Sequence, residues 1–174
     1  MTKPFRNNAG IALFNSTGQV FIARRYRNDG PEIIHKGLEW QMPQGGIGDQ
    51  EAPRTAAFRE LFEETGVSKA EYLAETEWIT YDFPPYFGSP SHRLAKYRGQ
   101  RQKWFALRFC GKDDEINVLK VRNAQPPEFD MWRWERLAVI ANIVVPFKRH
   151  IYFHVMTAFS RFAAGFSDPK IDVR

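Results

Sequence analysis

The chain has 174 residues, 43% hydrophobic and 15% aromatic, which is long enough and apolar enough to bury the core of one folded domain. Its 25 basic and 20 acidic residues leave a net charge of +5, which favours an anionic partner such as a nucleotide or RNA. A lone cysteine, Cys110, excludes an internal disulfide, no disulfide-linked partner is expected, and the absence of a long apolar run excludes a membrane span, so the chain is expected in the cytoplasm.

Gly10–Phe14 and Val20–Arg25 are short β-prone runs, and Asn15-Ser16-Thr17-Gly18 between them is a hairpin turn. Residues Asn28–Glu39 hold Gly30-Pro31 and Gly37 and read as a long polar loop. Next, Gln44-Gly45-Gly46-Ile47-Gly48 forms a glycine-rich turn after the apolar Trp40–Pro43, where the backbone can approach a ligand closely. A helix is predicted from Pro53, which suits a first helical turn, to Gly66, which suits the position just past a helix end.

That helix carries Glu60, Glu63 and Glu64. Residues three and four apart share a helix face, so these carboxylates can converge on one point, where they repel one another. A hard divalent cation such as Mg²⁺ removes the repulsion, whereas a solvated acidic surface is the alternative for the triplet alone.

Further strands are predicted at Glu77–Phe83, Lys103–Phe109 and Met131–Glu135, where aromatic and β-branched residues gather. Before the second of these, Arg93, Lys96, Arg98, Arg101 and Lys103 occur without an acidic residue, near Tyr86, Phe87 and Tyr97. Such a run suits a phosphate-and-base surface, and its bland alternative is a solubilising loop. Cys110 follows an apolar run and is expected as a buried or edge thiol. A final helix is predicted from Pro146, with Phe147, Ile151, Val155, Phe159 and Phe162 at helical spacing up to Gly165. His150 and His154 lie four apart on it, but no third ligand accompanies them. The tail from Ser167 to Arg174 is expected to be loose.

From Gly45 through Glu51, Arg59-Glu60-Leu61, Glu63-Glu64 and Gly66-Val67, the chain resembles the Nudix box (45–67) at every position the pattern fixes. Gly99–Phe105, Pro127–Trp134 and Phe147-Lys148-Arg149 are similar to segments of the RNA pyrophosphohydrolase branch of that family. The resemblance implies an α/β class chain, a single Nudix hydrolase domain over 1–174, folded as an α/β/α sandwich around a mixed β-sheet. It also implies a hydrolase that removes pyrophosphate from 5′-triphosphorylated RNA in mRNA decay, or splits a dinucleoside polyphosphate, with a non-catalytic RNA-binding domain as the remaining reading.

The chemistry follows from the residue types. A polyphosphate repels an attacking water by its own charge, so clustered carboxylates serve hydrolysis only through bridging metals. The resemblance assigns Mg²⁺, with Mn²⁺ as a substitute and two or more ions per site, to Glu60, Glu63, Glu64, Glu128 and Gly45. It gives catalytic roles to Glu60, Glu64 and Arg59, either glutamate being able to act as base, with Arg59 expected to pair with an acid such as Glu51. Arg6, Arg25, Lys103, Lys148 and Tyr81 match substrate contacts, and Phe147 matches a base-stacking ring or else a core residue. The 28–39 insertion departs from the shortest family members, and its role and the oligomeric state are left open.

Overall fold

Along Ala9–Phe14 every residue is apolar or small, the pattern of a strand covered on both faces. In the computed structural model, which describes residues 2–28, 30–120, 122 and 126–166, this stretch lies in the middle of a mixed sheet. The strands are β1 (Phe5–Phe14), β2 (Val20–Arg25), β3 (Trp40–Gln41), β4 (Gln44–Gly46), β5 (Ala70–Glu75), β6 (Ile79–Asp82), β7 (Gly99–Phe109) and β8 (Phe129–Glu135). The central order is β3-β2-β1-β7-β5, with β4 on β1, β6 on β7 and β8 on β2. β1 and β7 run parallel from Phe5↔Gly99 to Phe14↔Arg108, and the other pairs are antiparallel.

Period-two alternation divides the core between the faces. Ile11, Leu13, Phe21, Phe105 and Leu107 pack with Ala56, Ala57 and Leu61 of α1 (Pro53–Thr65). Ala12, Phe14, Ile22, Trp104 and Ala106 pack with α2 (Ile140–Ile143) and with Ile151, Val155 and Phe159 of α3 (Arg149–Phe159). The result is the expected sandwich. Gly10 has a packing reason to lack a side chain, because a Cβ there would collide with the Trp104 ring.

Helix α1 begins at Pro53 and ends as Gly66, at φ 79°, donates its N–H to the Phe62 carbonyl at 2.8 Å. Side chains face the sheet where they are small, so Ala56 and Ala57 let the helix sit close. The Asn15–Gly18 hairpin forms, its Gly18 N–H bonding to the Asn15 carbonyl at 3.1 Å.

Several elements differ from expectation. β1 starts at Phe5 rather than Gly10, since pairing with β7 and β4 recruits the polar Arg6-Asn7-Asn8. The glycine turn is in part a strand, β4, and β7 starts at Gly99. Strand β5 has no sequence signal, being a half-exposed Ala/Glu segment held by β7. The last helix is divided: Pro146–Lys148 is a 3₁₀ turn, α3 follows, and a second 3₁₀ turn spans Ser160–Ala164. Cys110 is exposed just past β7. The predicted loose tail, 167–174, lies outside the described residues. No helix among the described residues is long and apolar enough to cross a membrane.

Candidate functional site

The pairing of β4 with β1 carries Gly45 to one side of the sheet, opposite Ala9, and α1 packs on that side. The acidic edge of α1 therefore faces the glycine strand. A Cβ on Gly45 would overlap the Glu60 carboxyl group, so the glycine is the space in which that carboxylate sits. Gly46 is likewise filled, by the Arg6 guanidinium.

Arg59 ties the arrangement together. Its Nε and Nη2 form a fork on Glu51 at 2.7 and 2.8 Å, Nη2 also donates to the Gly46 carbonyl at 2.8 Å, and Nη1 reaches Glu60 at 2.7 Å and Glu63 at 3.2 Å. One planar cation thereby fixes the loop after β4 against the helix. The Arg59 hydrogen bonds hold the Glu51 carboxyl down at about 2, and Glu51 in turn accepts the Gly48 N–H at 2.9 Å.

A cleft of about 320 Å³ opens beside this unit. Glu60, Glu63, Glu64 and Glu128 line it, together with Arg6 and Arg25. Glu64 accepts the Gln44 N–H at 3.2 Å; burial, with Glu60 and Glu128 close by, pushes its carboxyl well above the ordinary carboxylate value. Burial also raises Glu60, with Glu63 adding to the effect against the pull of Arg59 and Arg6. Glu128 comes from the loop before β8 and accepts from Arg25 Nε at 3.0 Å. Arg6 is depressed by burial and by Arg93 across the cleft.

The donors facing the cleft are carboxylate oxygens, which suit a hard divalent cation such as Mg²⁺ or Mn²⁺ rather than a soft one. Among the described residues no three acidic or histidine groups already stand at ligating distance. Arg59 holds Glu60 and Glu63, and Arg25 holds Glu128. The set fits a cation in composition, in sharing one cleft and in the glycine-made room for Glu60.

The other predicted site residues divide by position. Lys148 and Tyr81 lie under the cleft, 1% and 3% exposed, both directed at Glu32. Phe147 is half-buried with its ring 5.9 Å from that of Tyr81, packed against the α3-side core. Lys103 is apart from the cleft and pairs with Glu75 at 2.8 Å. In the basic run, Arg93 and His92 line the cleft, while Arg98 pairs with Asp82 and Arg101 lies over Trp78 at 4.5 Å. His150 hydrogen-bonds the Thr80 carbonyl at 3.0 Å.

Sequence reasoning missed Glu32 and the buried amide network of Asn8, Gln44, Gln100 and Gln102. Gln102 Nε2 donates to the other three at 2.8–3.0 Å and its Oε1 accepts from Trp104 Nε1 at 3.0 Å. Two glutamines, Gln100 and Gln102, two apart in one strand were the available signal for the network. For Glu32, one of three acids in a polar loop, there was none.

The model of the NUDIX domain matches residues 4–155. The chain is 47% identical over 162 residues to an RNA pyrophosphohydrolase of Azorhizobium caulinodans, covering 92% of this chain and 95% of the relative. It is 50% identical over 161 residues to the RNA pyrophosphohydrolase of Afipia carboxidovorans, with the same coverage. Among solved structures, the C. elegans Ap4A hydrolase binary complex superimposes with a TM-score of 0.59 at 15% identity, over 90% of this chain and 98% of that one. A MutT protein from Methanosarcina mazei Go1 gives 0.58 at 14%, over 91% and 97%. These last two share the fold.

Proposed function

The chain belongs to the NUDIX domain family, and from that premise we propose that it is a metal-dependent pyrophosphohydrolase of 5′-triphosphorylated RNA, acting in the cytoplasm as a single domain. Water adds to phosphorus, a phosphoanhydride bond breaks, pyrophosphate leaves and the RNA keeps a 5′-monophosphate. The observation that carries the reading is one cleft shared by four carboxylates and by Arg6 and Arg25: the acids suit cations, and the arginines suit phosphate. Relatives 43–50% identical over more than 90% of the chain, named RNA pyrophosphohydrolase, support RNA as substrate.

In this reading Glu60, Glu63, Glu64 and Glu128, with the Gly45 backbone, hold two or more Mg²⁺ ions, for which Mn²⁺ substitutes. Such ions neutralise developing charge and lower the pKa of water. Glu60 or Glu64 takes the water's proton, and the burial that raises both carboxyls above the ordinary carboxylate value favours their uptake of it. Arg59 keeps the glutamates in register with the glycine strand. Arg6 and Arg25 orient the phosphates, Lys148 and Tyr81 add contacts from beneath, Phe147 stacks a base and Lys103 meets RNA outside the cleft.

A competition assay with Mg²⁺ tests the substrate: triphosphorylated RNA is expected to be consumed ahead of diadenosine tetraphosphate, releasing pyrophosphate. Preference for the dinucleotide would transfer the site to dinucleoside polyphosphates, and no turnover of either would leave a binding module.

The raised carboxyls also predict a pH-dependent response to metal. A carboxyl raised in the fold favours the folded state below its ordinary value of 4.5, and that advantage is lost as pH rises through the raised value. The metal-free protein therefore loses stability toward neutral pH, where Mg²⁺ takes up the exposed repulsion. Calorimetric unfolding should show a larger Mg²⁺-induced gain in unfolding free energy at pH 8 than at pH 5.5, by roughly 1–3 kcal/mol at saturating metal, seen as a larger rise in Tm. An equal rise at both pH values would contradict a metal site at Glu64.

A further inference from the structure

The 28–39 insertion places one charge in the site that the hydrolytic reading does not use. Glu32 is 9% exposed, and its Oε1 accepts from two donors at once: Lys148 Nζ at 2.7 Å and the Tyr81 hydroxyl. Glu32 and Gln41 form part of the cleft wall, whereas Lys148 and Tyr81 are withdrawn behind them. A carboxylate thus stands between the cleft and two donors suited to phosphate. The loop is fastened in this position, since Arg25 Nη1 donates to the Glu32 carbonyl at 3.0 Å and the Ile34 N–H to Asn28 Oδ1 at 2.9 Å. Gly30 lies against the His92 ring, where a Cβ would collide, so the insertion meets the basic segment at the cleft's edge.

A lysine paired this closely with a buried carboxylate offers little net charge to a ligand outside the pair. Glu32 is held in its anionic form: burial alone would raise its carboxyl, but Lys148 and Arg25 bring it down to about 2. Lys148 can therefore meet a phosphate only if that carboxylate moves. A phosphate oxygen can accept the same two hydrogen bonds.

We propose that Glu32 is a specificity-determining residue, an internal anion that occupies the Lys148–Tyr81 donor pair and that a polyphosphate displaces on binding. The inference rests on the reading above that Lys148 and Tyr81 contact phosphate. The exchange makes and breaks no covalent bond: a phosphate oxygen takes both hydrogen bonds and the freed carboxylate turns to solvent. The apparent affinity is the intrinsic affinity reduced by the fraction of molecules with Glu32 withdrawn. A polyphosphate that also reaches Arg6 and Arg25 offsets the lost pair, while a monophosphate end meets the same cost with fewer contacts.

The test is calorimetric binding of pyrophosphate with Mg²⁺ to the wild type, Glu32→Gln, Lys148→Met and the double variant. Glu32→Gln is expected to tighten binding about tenfold, the factor for a carboxylate withdrawn in about a tenth of molecules, and to have no effect in the Lys148→Met background. Unchanged or weaker binding by a folded Glu32→Gln overturns the proposal, because Glu32 would then only support Lys148. Equal tightening in both backgrounds also overturns it, since the effect would not run through Lys148. If Glu32→Gln does not fold, Glu32→Asp, which draws the carboxylate back by one methylene, is judged by the same outcomes. Wild-type turnover of triphosphorylated RNA, measured alongside, separates the two readings: its absence with the pyrophosphate effect intact refutes the substrate and leaves Glu32's role standing.

Discussion

Glu64→Gln is expected to lower Mg²⁺-dependent turnover at least about 10²–10³-fold, the scale on which losing one preorganised electrostatic partner is felt in an active site. The side chain keeps its shape, so the Gln44 N–H can still donate to the amide oxygen that replaces Glu64 Oε2. What disappears is a negative charge held against burial and against two neighbouring acids. The fold should tolerate the change and gain slightly in metal-free stability near neutral pH, because a repelled carboxylate is gone. Steady-state kinetics beside a thermal melt decide the matter: wild-type kcat would remove Glu64 from the chemistry, and a collapsed Tm would make it structural instead.

The second large effect is expected from Gly45→Ala, with activity falling about 10–100-fold, as for changes that misplace a ligand, and stability nearly unchanged. Gly45 is absent from the glycines with positive φ, so its backbone accepts alanine, and removing a glycine tends to stabilise by a few tenths of a kcal/mol. The conflict is with one group, the Glu60 carboxyl, which the methyl must push away. Arg59 would follow Glu60 and loosen its fork on Glu51. Full kcat/KM in this variant would show that Glu60 is not needed where it stands. Gly46→Ala is the useful comparison, because its methyl meets the movable Arg6 instead.

Both predictions fall on residues that the sequence makes readable, for a physical reason. Pro53 and Gly66 bracket α1, and the spacing of Glu60, Glu63 and Glu64 follows from helical geometry, so that half of the site is local information. β2 is legible at its full length because four successive buried residues leave little choice. β5 is not, since Ala70–Glu75 gains its strand form only from pairing with β7. The entry of β1 at Phe5 is hidden for the same reason, as its polar residues are strand residues only beside β7 and β4. Glu32 shows the limit most clearly: nothing near it in sequence marks it for burial, and of the groups that hold it only Arg25 is close in the chain, whereas Tyr81 and Lys148 come from distant parts of it.

The parallel pairing of β1 with β7 has a consequence for the timing of assembly. The first strand of the sheet waits for a partner made far later, so its central ladder closes a long loop and belongs to the slow, high-contact-order class of folding events. During synthesis the acidic helix and glycine strand emerge well before Gln102, Glu128 and Lys148. A ribosome-bound chain therefore displays the carboxylates with no cleft around them, and the proposed hydrolytic activity arises only after Gln102, Glu128 and Lys148 have been translated.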